Sequence, residues 1–248
     1  MSFASLRLFV GLALFAAAAP AEAAQTQVAV AANFTEPAKE IAALFKTKTG
    51  DEAVLSFGAS GNFYTQIEQG APFQVFLSAD AERPKAAVEA GLAVADSRFT
   101  YAIGRLVLWS KSLDVTQGDA VLKANAFAKL SIANPKAAPY GAAAVETMKA
   151  LGIYDAIEPK IVQGASIAQA FQFVDTGNAD LGFVALSQLA AVTTGSRWSP
   201  PQGLYSPIRQ DAVLLKPGAD DEASKAFLAF LKTPEARAII ERYGYGLE

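Results

Sequence analysis

Segments with the pattern of strands alternate with segments with the pattern of helices along most of this chain. Apolar runs such as Gln27 to Ala32 and Phe73 to Asp80 predict buried strands. Helical patterns follow them and end at glycines, as Pro37 to Thr49 does before Gly50. This order is typical of mainly parallel sheets covered by helices, because parallel strands need a crossover connection. We therefore predict an α/β protein.

A β-prone run, Ser97 to Ser110, interrupts the alternation and is long enough to carry the chain from one lobe into another. We predict lobe I over residues 25–103, lobe II over 104–206, and a return to lobe I over 207–248. Ligands of open parallel sheets lie beyond the carboxyl ends of the strands. A ligand site is therefore expected in the cleft between the lobes.

The N-terminus has the composition of a secretory signal peptide. Arg7 is the only charged residue before the apolar run LFVGLALFAAAAP, and small residues lead to Ala24. We predict that residues 1–24 are removed on export and that the protein is periplasmic. An N-terminal membrane anchor is the alternative. A lipoprotein anchor is excluded, since the chain has no Cys.

Two missing residue types exclude much chemistry. The chain has no His and no Cys, so Ser-His-Asp triads and Cys-His pairs cannot form. Zinc, copper and iron sites usually need these ligands. We expect no bare metal ion and no cofactor. The net charge is −3, and the sequence shows no basic patch that would bind nucleic acid. Nucleic acid is therefore not expected as a partner.

Four segments at predicted helix starts are rich in small residues and contain no Lys or Arg. They are AANFTE (31–36), FGASGNF (57–63), AAPYGAA (137–143) and QGASIA (163–168). A helix N-terminus presents unpaired N–H groups and a partial positive charge, which suits an anion. Four such ends at one point would hold a small oxyanion without a side-chain cation.

Each residue of these turns also has a purely structural interpretation. Asn33 is typical of turns, and Thr35 and Ser60 are candidate helix N-caps. Tyr140 is either a packing residue or a ligand contact. Ile167 could offer only its backbone N–H. The occurrence of all four turns at equivalent points favours a shared anion site.

Several runs resemble the periplasmic molybdate-binding proteins of ABC transporters. They are AANF, SFGASGNFYTQIEQGAPFQVFLSAD, SRFTYAIGRLVLWS, APYG and ADLGFVALSQL. The resemblance extends from Gln27 to Gly244 and implies a two-lobe type II periplasmic binding protein fold. It implies molybdate or tungstate as the ligand, held without countercharges, and a membrane ABC permease as the partner. A monomer is expected.

The resemblance implies an oxyanion site at Ala32, Asn33, Ser60, Tyr140 and Ile167. Two positions depart from the family pattern. Many members carry Tyr where this chain has Ala185, so the Tyr140 hydroxyl is expected to contribute instead. Many members carry Ser where this chain has Asn33.

A site made only of donors suits a fully ionised dianion: molybdate, tungstate or sulfate. Hydrogen phosphate carries a proton and needs an acceptor, usually a carboxylate. Glu36 is the only carboxylate in the four turns and is expected to face solvent. A receptor for sulfate, an exported carboxylate-based enzyme and a sensory module on the same fold are the alternatives. We predict a receptor rather than an enzyme, because no carboxylate pair falls in the strand-end turns.

Overall fold

The computed structural model describes residues 23–248, which contain two five-stranded mixed sheets. The strands of the first sheet are, in spatial order, Glu52–Gly58 (β2), Gln25–Ala31 (β1), Val75–Leu77 (β3), Ile208–Leu214 (β10) and Phe99–Gly104 (β4). β10 runs antiparallel to both neighbours, and the other strands share one direction. The C-terminal part of the chain therefore completes the sheet that the N-terminal part begins.

The second sheet repeats this plan with strands from the middle of the chain. In spatial order they are Ile161–Gly164 (β7), Leu130–Ala133 (β6), Leu181–Ala185 (β8), Leu106–Ser110 (β5) and Ser196–Trp198 (β9). Here β5 is the strand that runs against its neighbours. The sequence pattern of residues 196–203 predicts a loop. This prediction is wrong for the first three of these residues, which form β9, because Trp198 pairs with Leu108, a residue far away in the chain.

Helices cover both sheets, and the α/β class is confirmed. They are Thr35–Thr49 (α1), Ser60–Glu68 (α2), Glu82–Glu89 (α3), Gly118–Ala124 (α4), Pro139–Ala150 (α5), Tyr154–Ile157 (α6), Ile167–Asp175 (α7), Glu222–Phe230 (α8) and Pro234–Arg242 (α9). We call the first sheet with α1–α3, α8 and α9 the first lobe, and the second sheet with α4–α7 the second lobe.

The first helix shows how local sequence sets its ends. At its C-terminus Gly50 adopts a φ of 85°, and its N–H bonds the carbonyl of Lys46 at 2.9 Å. This left-handed conformation favours glycine. At the N-terminus the expectation of a Thr35 cap is wrong. A 3-10 turn at Ala32–Phe34 leads directly into the helix, so Thr35 is already helical and its hydroxyl donates to the Ala32 carbonyl at 2.8 Å.

The chain crosses between the lobes at a single residue, Arg105, which lies between β4 and β5. The long β-prone run is therefore two strands in two different sheets. A second crossing lies between β9 and β10. Each lobe has its own apolar core, one built around Phe34, Phe45 and Phe227 and the other around Phe183 and Tyr140.

The predicted signal peptide, residues 1–24, lies almost wholly outside the described residues. Within residues 23–248, no helix is both long and apolar enough to cross a membrane.

Candidate anion site between the lobes

The four small-residue turns meet at one cavity between the lobes. They connect β1 to α1, β2 to α2, β6 to α5, and β7 to α7. The cavity is small, about 10 Å³, which is on the scale of roughly one water-sized sphere. Its lining residues are Ala31, Ala32, Asn33, Gly58, Ala59, Ser60, Ala79, Ala138, Pro139, Tyr140 and Ile167. Such a space suits a compact ion rather than a sugar or a peptide.

All five predicted site residues line this cavity, and all are buried. They are Ala32, Asn33, Ser60, Tyr140 and Ile167. None of the lining residues carries a charge. Glu36 is exposed and pairs with Lys39 at 2.8 Å, as expected for a carboxylate on the solvent side of its turn. The structure therefore brings the predicted residues together in an uncharged cavity.

Ser60 is the first residue of α2, and Ala59 occupies the N-cap position, so the expectation of a Ser60 cap is wrong. The Ser60 hydroxyl oxygen instead accepts the N–H of Ala79 at 2.9 Å. This bond comes from the neighbouring strand end and fixes the side chain. Because a hydroxyl also carries one proton, Ser60 keeps a donor that can point into the cavity.

Asn33 lies in the 3-10 turn between β1 and α1. Its Nδ2 donates to Gln210 Oε1 at 2.8 Å and to Tyr245 Oη at 2.9 Å, which uses both amide protons. The backbone carbonyl of Asn33 accepts a hydrogen bond from the hydroxyl of Ser187 at 2.8 Å. The side chain is thus committed to neighbouring protein groups, and the backbone N–H is the donor that Asn33 can offer to a ligand.

Tyr140 follows Pro139 at the start of α5, and its hydroxyl accepts a hydrogen bond from Gln210 Nε2 at 3.2 Å. Burial, and then the nearby Tyr245 and Tyr101, raise the pKa of this hydroxyl well above its usual value, so it stays neutral. The resemblance suggests this hydroxyl as an anion donor. In the structure it contacts Gln210, and the Tyr140 N–H is the group at the open helix end.

Ile167 is the first residue of α7, and its side chain packs in the core of the second lobe. Ser166 is the N-cap, and its hydroxyl accepts the N–H of Gln169 at 3.4 Å. The first N–H groups of a helix have no partner inside it. Across residues 23–248, those of Ser60, Tyr140 and Ile167 bond no other residue, so they are free for a ligand.

Contacts across the cleft hold the lobes together around the cavity. The N–H of Gly61 donates to the carbonyl of Ala137 at 2.9 Å. Arg83 reaches from α3 to the carbonyl of Lys136, also at 2.9 Å, and forms an ion pair with Asp80. One backbone hydrogen bond and one anchored arginine therefore join the lobes beside the cavity.

Sequence reasoning missed the buried polar residues behind the cavity: Tyr101, Ser187, Gln210 and Tyr245. The one available signal was the run Arg209, Gln210 and Asp211, three consecutive polar residues inside an otherwise apolar strand. No cluster of acidic residues that could hold a metal ion occurs among the described residues.

Comparison with known proteins gives three consistent findings. The family described as bacterial extracellular solute-binding protein matches residues 26–246. The molybdate-binding protein ModA of Rhodobacter capsulatus is 60% identical over 245 residues, covering 98% of this chain and 95% of the relative. ModA of Azotobacter vinelandii is 56% identical over the full length of both chains.

A solved structure agrees with these matches. The Azotobacter vinelandii periplasmic molybdate-binding protein has a TM-score of 0.86 and 42% identity, covering 90% of this chain and 99% of that chain. The two-lobe fold expected from the sequence is thereby confirmed.

Proposed function

The chain belongs to the family of bacterial extracellular solute-binding proteins, and from this premise we propose that it captures molybdate and tungstate for an ABC permease. The observation that carries the proposal is the cavity where four helix starts meet without any charged side chain. The names of the relatives, molybdate-binding proteins at 56% and 60% identity, support the choice of ligand.

The donors of the cavity suit a fully ionised tetrahedral anion. A buried anion is costly unless its oxygens find hydrogen-bond donors. We assign this role to the N–H groups of Asn33, Ser60, Tyr140 and Ile167, together with the Ser60 hydroxyl. Ala32 shapes the turn before Asn33. Hydrogen phosphate would bring its own proton to a site with no carboxylate to accept it.

Charge at the site is supplied by oriented backbone groups rather than by cations. The N-terminal ends of α1, α2, α5 and α7 each carry a partial positive charge. A site of this kind is neutral when empty, so it leaves no buried cation without a partner.

The remaining features of the proposal rest on the names of the relatives and on the sequence. The two relatives are named as molybdate-binding proteins, and we propose a receptor without cofactor or catalytic residues. We propose periplasmic localisation through cleavage near Ala24, and a monomeric state. The lobe boundaries at 25–103, 104–206 and 207–248 stay a prediction, supported by the strands that each sheet contains.

Calorimetry with a panel of oxyanions tests this function. Molybdate and tungstate should bind tightly with one site per chain, sulfate more weakly and phosphate negligibly. At about 100 times its Kd a ligand adds about 2.7 kcal/mol of stability, so the melting temperature provides an independent measure. Sulfate binding tighter than molybdate would point to a sulfate receptor. Phosphate binding as tight as molybdate would overturn the assignment of a donor-only site.

A further inference from the structure

Gln210 lies behind the anion cavity and is completely buried. It stands on β10 opposite Ala102 of β4, beside an irregularity in the pairing between Gln210 and Asp211. Its Oε1 accepts from Asn33 Nδ2 at 2.8 Å and lies 3.1 Å from the hydroxyl of Tyr101. Its Nε2 donates to the hydroxyl of Tyr140 at 3.2 Å. Both ends of the amide are therefore in use.

These bonds join the two lobes through a single side chain. Asn33 belongs to the turn that opens α1 in the first lobe, and Tyr140 to the turn that opens α5 in the second. Both turns line the anion cavity. Gln210 thus contacts one anion turn from each lobe without lining the cavity itself.

The direction of the Gln210 amide is set by its surroundings. The Tyr245 hydroxyl oxygen accepts a second hydrogen bond from Asn33 Nδ2 at 2.9 Å, so the Asn33 amide nitrogen is the donor to both Gln210 and Tyr245. Gln210 must then present its oxygen to Asn33, which leaves its NH₂ group facing Tyr140. Reversing the amide would place two NH₂ groups against each other in a site without water-exposed alternatives.

The crossing strand leaves room for this contact at Gly104. A Cβ atom at Gly104 would lie 2.2 Å from Tyr140 Oη and 2.5 Å from Gln210 Nε2. The φ of Gly104 is outside the left-handed range, so its backbone conformation does not require glycine. The position requires glycine because there is no space for a side chain. The bond between Gln210 and Tyr140 therefore sits against the residue that precedes the crossing at Arg105.

We propose that Gln210 is a positioning residue that couples the two halves of the anion site and sets how completely the lobes close around the ligand. The proposal rests on the function proposed above. Gln210 and Asn33 both belong to the first lobe, so separating the lobes breaks the bond from Gln210 Nε2 to the Tyr140 hydroxyl and keeps the bond to Asn33. The bonded arrangement thus favours closure, and affinity rises with the fraction of protein that is in the closed form.

Replacing Gln210 with Met keeps a similar side-chain size and removes both ends of the amide. In the variant Gln210→Met, the Kd for molybdate should rise about tenfold or more, mainly through faster dissociation. The matched control is Thr26→Val, which removes a buried hydrogen bond to Ser224 at 2.7 Å inside the first lobe. This control should lose stability and keep the wild-type Kd.

A double-mutant cycle with Tyr140→Phe separates positioning from direct contact with the anion. If Tyr140 acts through Gln210, Tyr140→Phe weakens molybdate binding in the wild type but has less than a twofold effect in Gln210→Met. If the hydroxyl of Tyr140 binds the anion itself, its removal costs the same factor in both backgrounds. That additive result would overturn the proposal.

The single variants provide two further decisive outcomes. A folded Gln210→Met protein with the wild-type Kd and dissociation rate overturns the coupling role. Should Gln210→Met not fold, Gly104→Ala perturbs the same bond from the opposite side and is expected to weaken molybdate binding, whereas unchanged binding by a folded Gly104→Ala protein refutes the coupling. Failure of the wild-type protein to bind molybdate would instead refute the proposed function, so the two failures are distinguishable.

Discussion

The anion cavity and the groove beside it are neighbours with opposite character. They share Ala79 and Pro139 as lining residues, yet the cavity measures about 10 Å³ and the groove about 730 Å³. The groove is open and contains the charged residues Asp80, Glu82, Arg83, Glu146 and Arg209. The cavity is lined mostly by buried residues and contains no charged residue.

The difference indicates that the charged side chains and the proposed ligand-binding donors occupy separate regions of the protein. The charged side chains line the open groove, and the buried cavity offers N–H and O–H donors alone. A buried arginine would attract anions of many shapes and would need a partner whenever the site was empty. Donors fixed by secondary structure instead recognise the geometry of one small ion. Substitutions in the cavity and in the groove should therefore differ sharply in effect.

The largest effect is expected from placing a charge in the cavity. Ser60→Asp puts a carboxylate among donors intended for a dianion, and molybdate binding should be lost, by roughly a thousandfold or more, given that a tenfold change costs about 1.4 kcal/mol. Ser60→Ala removes only one hydroxyl donor and should weaken binding by about one to two orders of magnitude. Calorimetry on both folded variants measures this. A Ser60→Asp protein that binds as well as the wild type would place the anion elsewhere.

A moderate effect is expected at the boundary between cavity and groove. Arg83→Met keeps the apolar stem and removes the bond to the Lys136 carbonyl across the cleft. The arginine is partly exposed, so the loss should be about 1 kcal/mol, or about a fivefold faster dissociation of molybdate. Stopped-flow displacement with tungstate measures the rate. A change in the association rate alone would mean that Arg83 steers the anion and does not hold the cleft closed.

The smallest effect is expected inside the groove. Glu146→Gln removes a charge but retains an oxygen that can accept the N–H of Ser206, now bonded at 2.7 Å. Since the groove is open to water, we expect the Kd for molybdate to change by less than about twofold at physiological ionic strength. Titrations at low and high salt are the measurement. A tenfold change would show that the groove contributes to binding and would remove the contrast drawn above.

The positions of the four turns could be predicted because each depends on local sequence. A strand pattern followed by small residues and a helix pattern places Ser60 or Ile167 at a helix start, whatever the rest of the chain does. The cap assignments of Thr35 and Ser60 failed, the first for a local reason and the second because of a contact from 19 positions away. The 3-10 turn before Thr35 and the bond from Ala79 to Ser60 are alternatives that propensity does not distinguish.

The residues behind the cavity could not be predicted, because their contacts join distant parts of the chain. Gln210 is 177 positions from Asn33, and Tyr245 is 212 positions from it. No periodicity reports such a pairing. A polar residue in a buried strand predicts only that some partner exists. Which partner it meets depends on the topology, and here on a C-terminal segment that returns to the first lobe.

The two crossings between the lobes also have a consequence for the order of folding. The strands of the second lobe come from one continuous stretch, residues 106–198, whereas β10 of the first lobe must insert between β3 and β4 after almost all of the chain has been made. Loop closure over such a separation is slow, and synthesis proceeds from the N-terminus. We therefore expect the second lobe to form its core first. The first-lobe strands of residues 25–104 stay without β10, the strand that joins β3 to β4, until the chain is nearly complete.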